Sequence, residues 1–534
     1  VVEINKADRK GPVDLSTVKV ISDSFFYSIS RISVLVLKLV KGIVLPRLLG
    51  PRLYGILNIP APYILISSML SNIGFNTSVL KLMPDYLQQG RPDLARMIYR
   101  STAFMTVALS ALWAVLLLVF SPWLVDRVAH EPDAVNPMRI YALAIPFLAV
   151  NTYFASVYMA VQRGKLGAAI SFVYGVLNTA LPIAAVLWHR NVTIVVGGIV
   201  AAEVLGATLF TFYFHDRVLS RLRSAAGPLW RGIKETVSFG FLFFIAGLGW
   251  NLINSVDRLM IKFYLPAAQL GFYSMAAQVY TMLNIVASTL GFALVPSLTA
   301  AKNEGEQAVF DRLVHNAARI GFMALVPIVA GVFVLAPDVF SLLLPRFGPS
   351  VVIVQITIFI GFIYLFASIA WAALVAHGRG GLSAWAHMGA AAWNIAMNRF
   401  LIPRYGIAGA AVSVLSTIIV LTVTLLVMMD RVSRTRIAVK TLLHPLALAC
   451  VYPLLGYLLR GRHSIARIIV VAIAGSLLYL ALAIRTGLIR QEDFTKAREL
   501  LLRRSEVPHV RLARALIDIL ERSSTALGGR KGRG

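Results

Sequence analysis

The sequence predicts an all-α polytopic membrane protein of about 14 transmembrane helices: two parallel six-helix lobes plus two extra C-terminal helices. Three observations predict it. Of 534 residues, 58% are hydrophobic and only 14% charged, where a soluble chain carries about 25% charge. Apolar runs of about 20 residues, the length that crosses a bilayer core, follow one another along the chain. Landmark residues of the first six runs also return, in order, in the next six.

The spans are expected near 22–45, 54–76, 101–124, 138–161, 166–188, 193–214, 238–262, 270–297, 317–342, 350–376, 381–402, 407–429, 439–459 and 465–484. Glycine and proline punctuate them, as membrane helices allow. The division that follows is a cytoplasmic N-tail (1–20), an N-lobe (21–214), a basic linker (215–237), a C-lobe (238–429), spans 13 and 14 (430–484) and a basic tail (485–534). Two spans are too polar to face lipid on every side. The first carries Arg31, Lys38 and Lys41, and the eleventh carries His387, Asn394, Asn398 and Arg399.

A net charge of +27 raises the question of nucleic acid, but its distribution points to membrane topology instead. The loops after spans 2, 4, 6, 8, 10 and 12 hold about 4, 2, 5, 2, 1 and 3 Lys and Arg, and loops after odd-numbered spans hold at most two. Both termini are therefore expected in the cytoplasm. The linker cations Arg217, Arg221, Arg223, Arg231 and Lys234 suit that side, with anionic lipid as a secondary contact. In the tail, Leu512, Leu516, Ile519 and Leu520 share one helical face, which suits a membrane surface or the cytoplasmic loops equally. The last residues, 528–534, are expected to be disordered. The single Cys450 permits no disulfide within the chain. No cleavable signal is expected, and the chain opens on Val1 rather than Met.

The repeat is anchored on two Leu-Pro pairs, Leu45-Pro46 and Leu265-Pro266, where helices are expected to break. Aligning them places Arg258 on Lys38 and Asn251 on Arg31. Further matches pair Gly74-Phe75 with Gly291-Phe292, Pro122 with Pro337, and Asn178 with Asn394. Each repeat holds an even number of spans, so the halves are expected to be parallel, related by an axis along the membrane normal.

No enzyme motif is present: no phosphate-binding GxxxxGK[ST] loop, no HExxH and no cysteine pair for a metal. No cofactor or metal is expected. His377 and His387 flank the start of span 11, and the glycines at 378–381 suit a tight turn. Asn76-Thr77-Ser78 and Asn191-Val192-Thr193 match the glycosylation pattern only weakly.

The sharper signal is charge inside the spans, which in lipid faces a cavity or a partner. Residues seven apart on a helix differ by about 20° in direction, so Arg31 and Lys38 share a face, and Asn251, Asn254 and Arg258 form a matching stripe. These five are the expected substrate-binding residues, lining a cationic cavity with Lys38 and Arg258 facing one another. Snorkelling accounts for Lys41 more readily than for Arg31. Asp257 points about 100° from Arg258. Glu203 lies beside a ridge of Gly198, Ala202 and Gly206 suited to close helix packing. Asp257 and Glu203 are candidate coupling carboxylates, with neutral packing as the other reading of Glu203.

The run Leu45-Pro46-Arg47-Leu48-Leu49-Gly50-Pro51-Arg52-Leu53-Tyr54-Gly55 resembles the "LLG…YG" turn of polysaccharide flippases in the multidrug/oligosaccharidyl-lipid/polysaccharide (MOP) superfamily. Asp257-Arg258 followed by Leu270-Gly271-Phe272-Tyr273-Ser274-Met275-Ala276 resembles the matching motif of the second half. Ile402-Pro403-Arg404-Tyr405-Gly406-Ile407-Ala408-Gly409-Ala410-Ala411 resembles the stretch between spans 11 and 12. The resemblance covers about residues 20–484. Span 11 departs from it, because His387 and Arg399 make that helix unusually polar.

The resemblance implies a transporter, not an enzyme, that passes lipid-linked oligosaccharide across a prokaryotic cytoplasmic membrane by alternating access. A cationic lumen would suit the phosphate, and Arg31, Lys38 and Arg258 fit that role. The implied partners are the lipid-linked sugar, membrane lipids and polysaccharide assembly proteins. The alternatives are a peptidoglycan-precursor flippase, an ion-coupled multidrug exporter, and a membrane-embedded glycosyltransferase or polymerase. The last would place polar catalytic residues in a long outer loop, and the sequence has none.

Overall fold

The computed structural model describes residues 17–161, 164–217, 227–437, 440–459 and 464–489. Every element among them is helical. The N-terminal set is α1 (Thr17–Asn58), α2 (Pro60–Leu70), α3 (Phe75–Gln88), α4 (Pro92–Leu124), α5 (Val135–Ala142), α6 (Ala144–Ala160), α7 (Gly164–Trp188) and α8 (Val192–Arg217). The C-terminal set is α9 (Leu229–Tyr264), α10 (Ala267–Asn303), α11 (Gln307–Leu343), α12 (Ser350–Thr357), α13 (Ile360–Ala376) and α14 (Gly380–Ser433). Three helices follow: α15 (Lys440–Ala449), α16 (Val451–Leu458) and α17 (Ile465–Arg485).

Among the described residues, eight helices are long and apolar enough to cross a membrane, or ten if each of two bent pairs is one span. The expected 14 is not reached by that criterion. Part of the shortfall is connectivity. Spans 11 and 12 run together as α14, 54 residues long, which would stretch about 80 Å if straight, against a hydrocarbon core of about 30 Å. It turns at Gly406 (φ 60°, ψ −140°), a conformation that glycine adopts at little cost. Another part is length, since the stretch Leu443–Leu458 is apolar but short.

Three expected boundaries are corrected. Helix α1 does not break at Leu45-Pro46. It runs through Pro46 and Pro51, and its non-helical residue is Gly50 (φ 75°, ψ 172°). The second expected break holds: Leu265 is extended and α10 begins after Pro266. Span 2 is interrupted between α2 and α3, where Ile73 and Gly74 both have positive φ. The basic linker is shorter than expected, because α8 extends to Arg217 and α9 starts at Leu229. Arg221, Arg223, residues 1–16 and the expected tail helix at 512–522 lie outside the described residues, as do the side chains of Arg31 and Arg217.

Packing within the sets follows one scheme. Helix α1 packs on α7 as α9 packs on α14, and α4 packs on α6 as α11 packs on α13. Between the sets, α1 lies against α10, while α9 lies against α2, α3 and α4. Labelling the two ends outer and inner after the loop-charge expectation, the sets meet at both. At the outer end Gly55 and Gly271 allow α1 and α10 to cross so closely that a Cβ on either would overlap backbone of the other helix. At the inner end Gly74 and Gly240 do the same for α3 and α9.

Helix α9 is bent by 55° between its segments Leu229–Phe241 and Phe243–Tyr264. The inner segment is held by the N-terminal set: Ser78 donates to the Thr236 carbonyl (2.8 Å), Ser101 to the Leu229 carbonyl (3.0 Å), and Tyr86 to Glu235. The outer segment is held by α14, with Gly249 against the His387 backbone and Asp257 bonded to Asn398.

Candidate functional site

The stripe on α9 has two parts. Asn251 and Asn254 are half-buried, and each donates its Nδ2 to a carbonyl of its own helix, Gly247 (2.9 Å) and Trp250 (2.8 Å). That leaves the Oδ1 atoms as the acceptors suited to sugar hydroxyls. Arg258 is half-buried, and its buried Nε has no hydrogen-bond partner among the described residues. It lies in the electrostatic neighbourhood of Tyr54 on α1, Tyr280 on α10 and Asp257.

Asp257 makes no ion pair with Arg258 among the described residues. It is buried, and its two oxygens accept from Tyr273 Oη (2.6 Å) and Asn398 Nδ2 (2.7 Å). Asn398 also donates to Asn394 Oδ1 (3.1 Å), and Asn394 to Thr417 Oγ1 (3.2 Å). A buried carboxylate is tolerable only when its oxygens are occupied in this way. The network ties α9, α10 and both halves of α14 together, and it gives the polar residues Asn394 and Asn398 of span 11 a buried destination. His387 is buried as well, with Nδ1 on the Ser383 carbonyl (2.7 Å) and its ring edge-on to Trp250. Arg399 is exposed and donates to Tyr264 Oη (2.9 Å).

A corresponding network fills the N-terminal set. Glu203 is buried and accepts from Asn151 Nδ2 (2.8 Å), Tyr174 Oη (2.7 Å) and Asn178 Nδ2 (3.0 Å). Lys41 donates to Asn178 Oδ1 (2.8 Å). Lys41 therefore points into the α1–α7 contact and does not snorkel, which corrects the expectation for it. The Gly198–Gly206 ridge faces α7, where a Cβ at Gly198 would fall 2.9 Å from the Leu181 carbonyl oxygen. Asn178 and Asn394, matched in the sequence repeat, occupy corresponding places in the two networks. Reasoning from sequence missed Asn151, Tyr174, Tyr273 and Thr417. Their polarity is unremarkable without knowledge of which helix face they occupy.

Lys38 is exposed on α1, next to Leu39. Leu39 and Ile43 form one wall of an apolar groove of about 660 Å³. Its other walls come from α10, α11, α16 and α17, through residues including Met282, Val332, Tyr452 and Tyr479. Helix α17 is fastened beside it by a buried ion pair that the sequence reading did not anticipate. Arg467 Nη1 meets Asp338 Oδ1 of α11 at 2.9 Å, and Nη2 reaches the Gly456 carbonyl. At the outer end, Arg52 pairs with Glu131 (2.8 Å) and Asp133 (2.9 Å), and Lys262 approaches Glu131 at 3.8 Å. These carboxylates hold the Arg52 guanidinium above its ordinary pKa. No cluster of His, Cys, Asp and Glu suited to a metal occurs among the described residues.

Residues 20–302, just over half of the chain, match the family described as polysaccharide biosynthesis protein. A Shigella flexneri protein named for O-antigen transport is 22% identical over 378 residues, covering 69% of this chain and 88% of its own. An uncharacterised membrane protein of Methanocaldococcus jannaschii is 19% identical over 366 residues, covering 64% and 70%. Among solved structures, the lipid II flippase MurJ in an inward closed conformation superposes with a TM-score of 0.70 at 13% identity, covering 87% of this chain and 99% of MurJ. An inward-facing multidrug resistance MATE family transporter of the MOP superfamily gives 0.58 at 16% identity, covering 75% and 95%.

Proposed function

The chain belongs to the polysaccharide biosynthesis protein family, and on that premise we propose that it flips a lipid-linked oligosaccharide from the inner to the outer leaflet by alternating access. The groove is the observation that carries this reading. A soluble drug or ion needs no apolar slot, whereas a substrate with a long hydrocarbon chain needs a path for that chain beside the path for its head. Lys38 lies outside the groove, about 100° around α1 from the wall residue Leu39, so the head would travel beside the groove while the tail occupies it. Lipid tails are as apolar as leucine, so moving a tail from bilayer to groove is close to neutral and leaves it free to slide. The costly part is the head. A phosphate taken out of water needs opposite charge, and Arg31, Lys38 and Arg258 supply it, with Asn251 and Asn254 meeting sugar hydroxyls.

Lys38 and Arg258 sit on α1 and α9, the leading helices of the two sets. Movement of one set against the other passes the phosphate between them. Asp257 and Glu203 are each held by at least two neutral donors, which suits proton-linked rearrangement of either network as the coupling step. The groove also suits a peptidoglycan precursor, since MurJ, whose fold this chain shares, is a lipid II flippase. Depleting the protein and identifying the lipid-linked glycan that accumulates on the inner leaflet separates the two. Accumulation of neither would count against the flippase reading altogether.

A further inference from the structure

Three arginines from three separate elements converge at the outer end. Arg47 on α1, Arg190 between α7 and α8, and Arg346 on the short 3-10 helix Pro345–Phe347 line one pocket of about 210 Å³, whose remaining walls are apolar. All three are exposed, and none has a hydrogen bond or ion pair with any described residue. Acids of that end are engaged elsewhere: Glu131 and Asp133 pair with Arg52, Glu131 also with Lys262, Asp126 lies 3.8 Å from Arg127, and Asp338 pairs with Arg467. Arg346 is set against Gly50, where a Cβ would stand 3.7 Å from its Nη1.

The gathering is unexpected on topological grounds. Each arginine follows an odd-numbered span, on the side where loops hold at most two cations. Three like charges brought together without a counter-charge repel unless an anion joins them. Guanidinium groups present paired donors that match phosphate oxygens, so phosphate fits better than a diffuse anion.

We propose that Arg47, Arg190 and Arg346 form an outer-end site for the phosphate or diphosphate group of a membrane lipid. Two sources share that chemistry: the carried lipid as it arrives, which rests on the flippase reading, and a resident anionic phospholipid, which does not.

The test uses the full-length protein in phosphatidylcholine nanodiscs, titrated with a polyprenyl diphosphate or with phosphatidylglycerol. The triple variant Arg47→Gln/Arg190→Gln/Arg346→Gln should bind at least one of them about tenfold more weakly or worse. The wild-type affinity for that lipid should fall as salt rises. A preference for the diphosphate assigns the site to the carried lipid, and equal or better binding of phosphatidylglycerol assigns it to the resident one. Should the triple variant fail to fold, Arg190→Gln alone carries the test, since Arg190 lies between helices. Wild-type affinity for both lipids in the variant overturns the site. A wild-type protein that binds at the site but moves no lipid-linked sugar overturns the flippase reading and leaves the site standing.

Discussion

Replacing Gly240 with alanine tests whether the inner contact between the two helix sets limits opening. A Cβ there would lie 2.7 Å from the Gly74 carbonyl oxygen and 2.8 Å from Ser78 Oγ. Carbon and carbonyl oxygen normally approach to about 3.3 Å, so α9 and α3 must separate by roughly 0.6 Å, which their backbones resist. Overpacking of this kind costs about 1–3 kcal/mol. The cost falls only on states in which the two helices touch, so it changes the ratio of apart to together by about 5- to 150-fold. Ser101 is the reporter: it is buried against the Leu229 carbonyl, away from residue 240. In a Cys450→Ser background, Ser101→Cys should react with a polar thiol reagent at least about fivefold faster when Gly240→Ala is added. Gly197→Ala is the control, because among the described residues a Cβ there would meet nothing within 4 Å beyond its own helix. Unchanged labelling of a folded Gly240→Ala protein would refute the reasoning, and so would an equal increase from Gly197→Ala.

Arg31→Ala and Arg258→Ala should each stop export while leaving normal amounts of protein in the membrane, measured as glycan export and membrane abundance on the same cells; normal export by the double variant would end the cationic-cavity proposal. Asn398→Leu removes one of the two donors to Asp257 and should lower stability by about 2 kcal/mol, whereas Asp257→Asn/Asn398→Asp keeps the pair and should recover part of it, read by thermal melting in detergent. Arg467→Met removes the ion pair with Asp338 and should lower stability by more than Arg467→Met/Asp338→Leu does, because the double variant leaves no buried carboxylate behind, as followed by the same melts. For topology, residue 347 is a poor probe because Phe347 is buried between Tyr54 and Phe272. Gly348 is exposed, and Gly348→Cys should react with an impermeant reagent in intact cells. Protection there would reverse the orientation.

Depth was legible in the sequence and direction was not. Hydropathy and the Leu-Pro landmarks placed Arg258, Asp257 and Glu203 inside spans. The angle of about 100° between Asp257 and Arg258 agrees with the absence of an ion pair between them among the described residues. The partner of Lys41 was out of reach, because bonding to Asn178 depends on how α1 is rotated against α7. Asp338 and Arg467 lie 129 residues apart, and neither carries a local pattern that announces a pair. The break at Gly50 was misplaced for a different reason. Proline is the stronger signal in water, but in a packed membrane helix neighbours restore the lost backbone bond, and the bend moves to the residue that tolerates positive φ. Burial of Phe347 was hidden by its place in a loop, where only the contact between α1 and α10 reveals the aromatic slot.

The bend in α9 gives this helix an unusual mechanical position. Its lower length is bolted to the N-terminal set through Thr236, Glu235 and Leu229, and its upper length to α14 through Gly249 and Asp257. Helix α9 therefore joins the two sets in the manner of a crank. Rocking one against the other must either change the 55° angle or shear one of the two fastenings. On the proposed alternating access, Arg258 at the far end of the upper arm would swing through an arc set by that elbow.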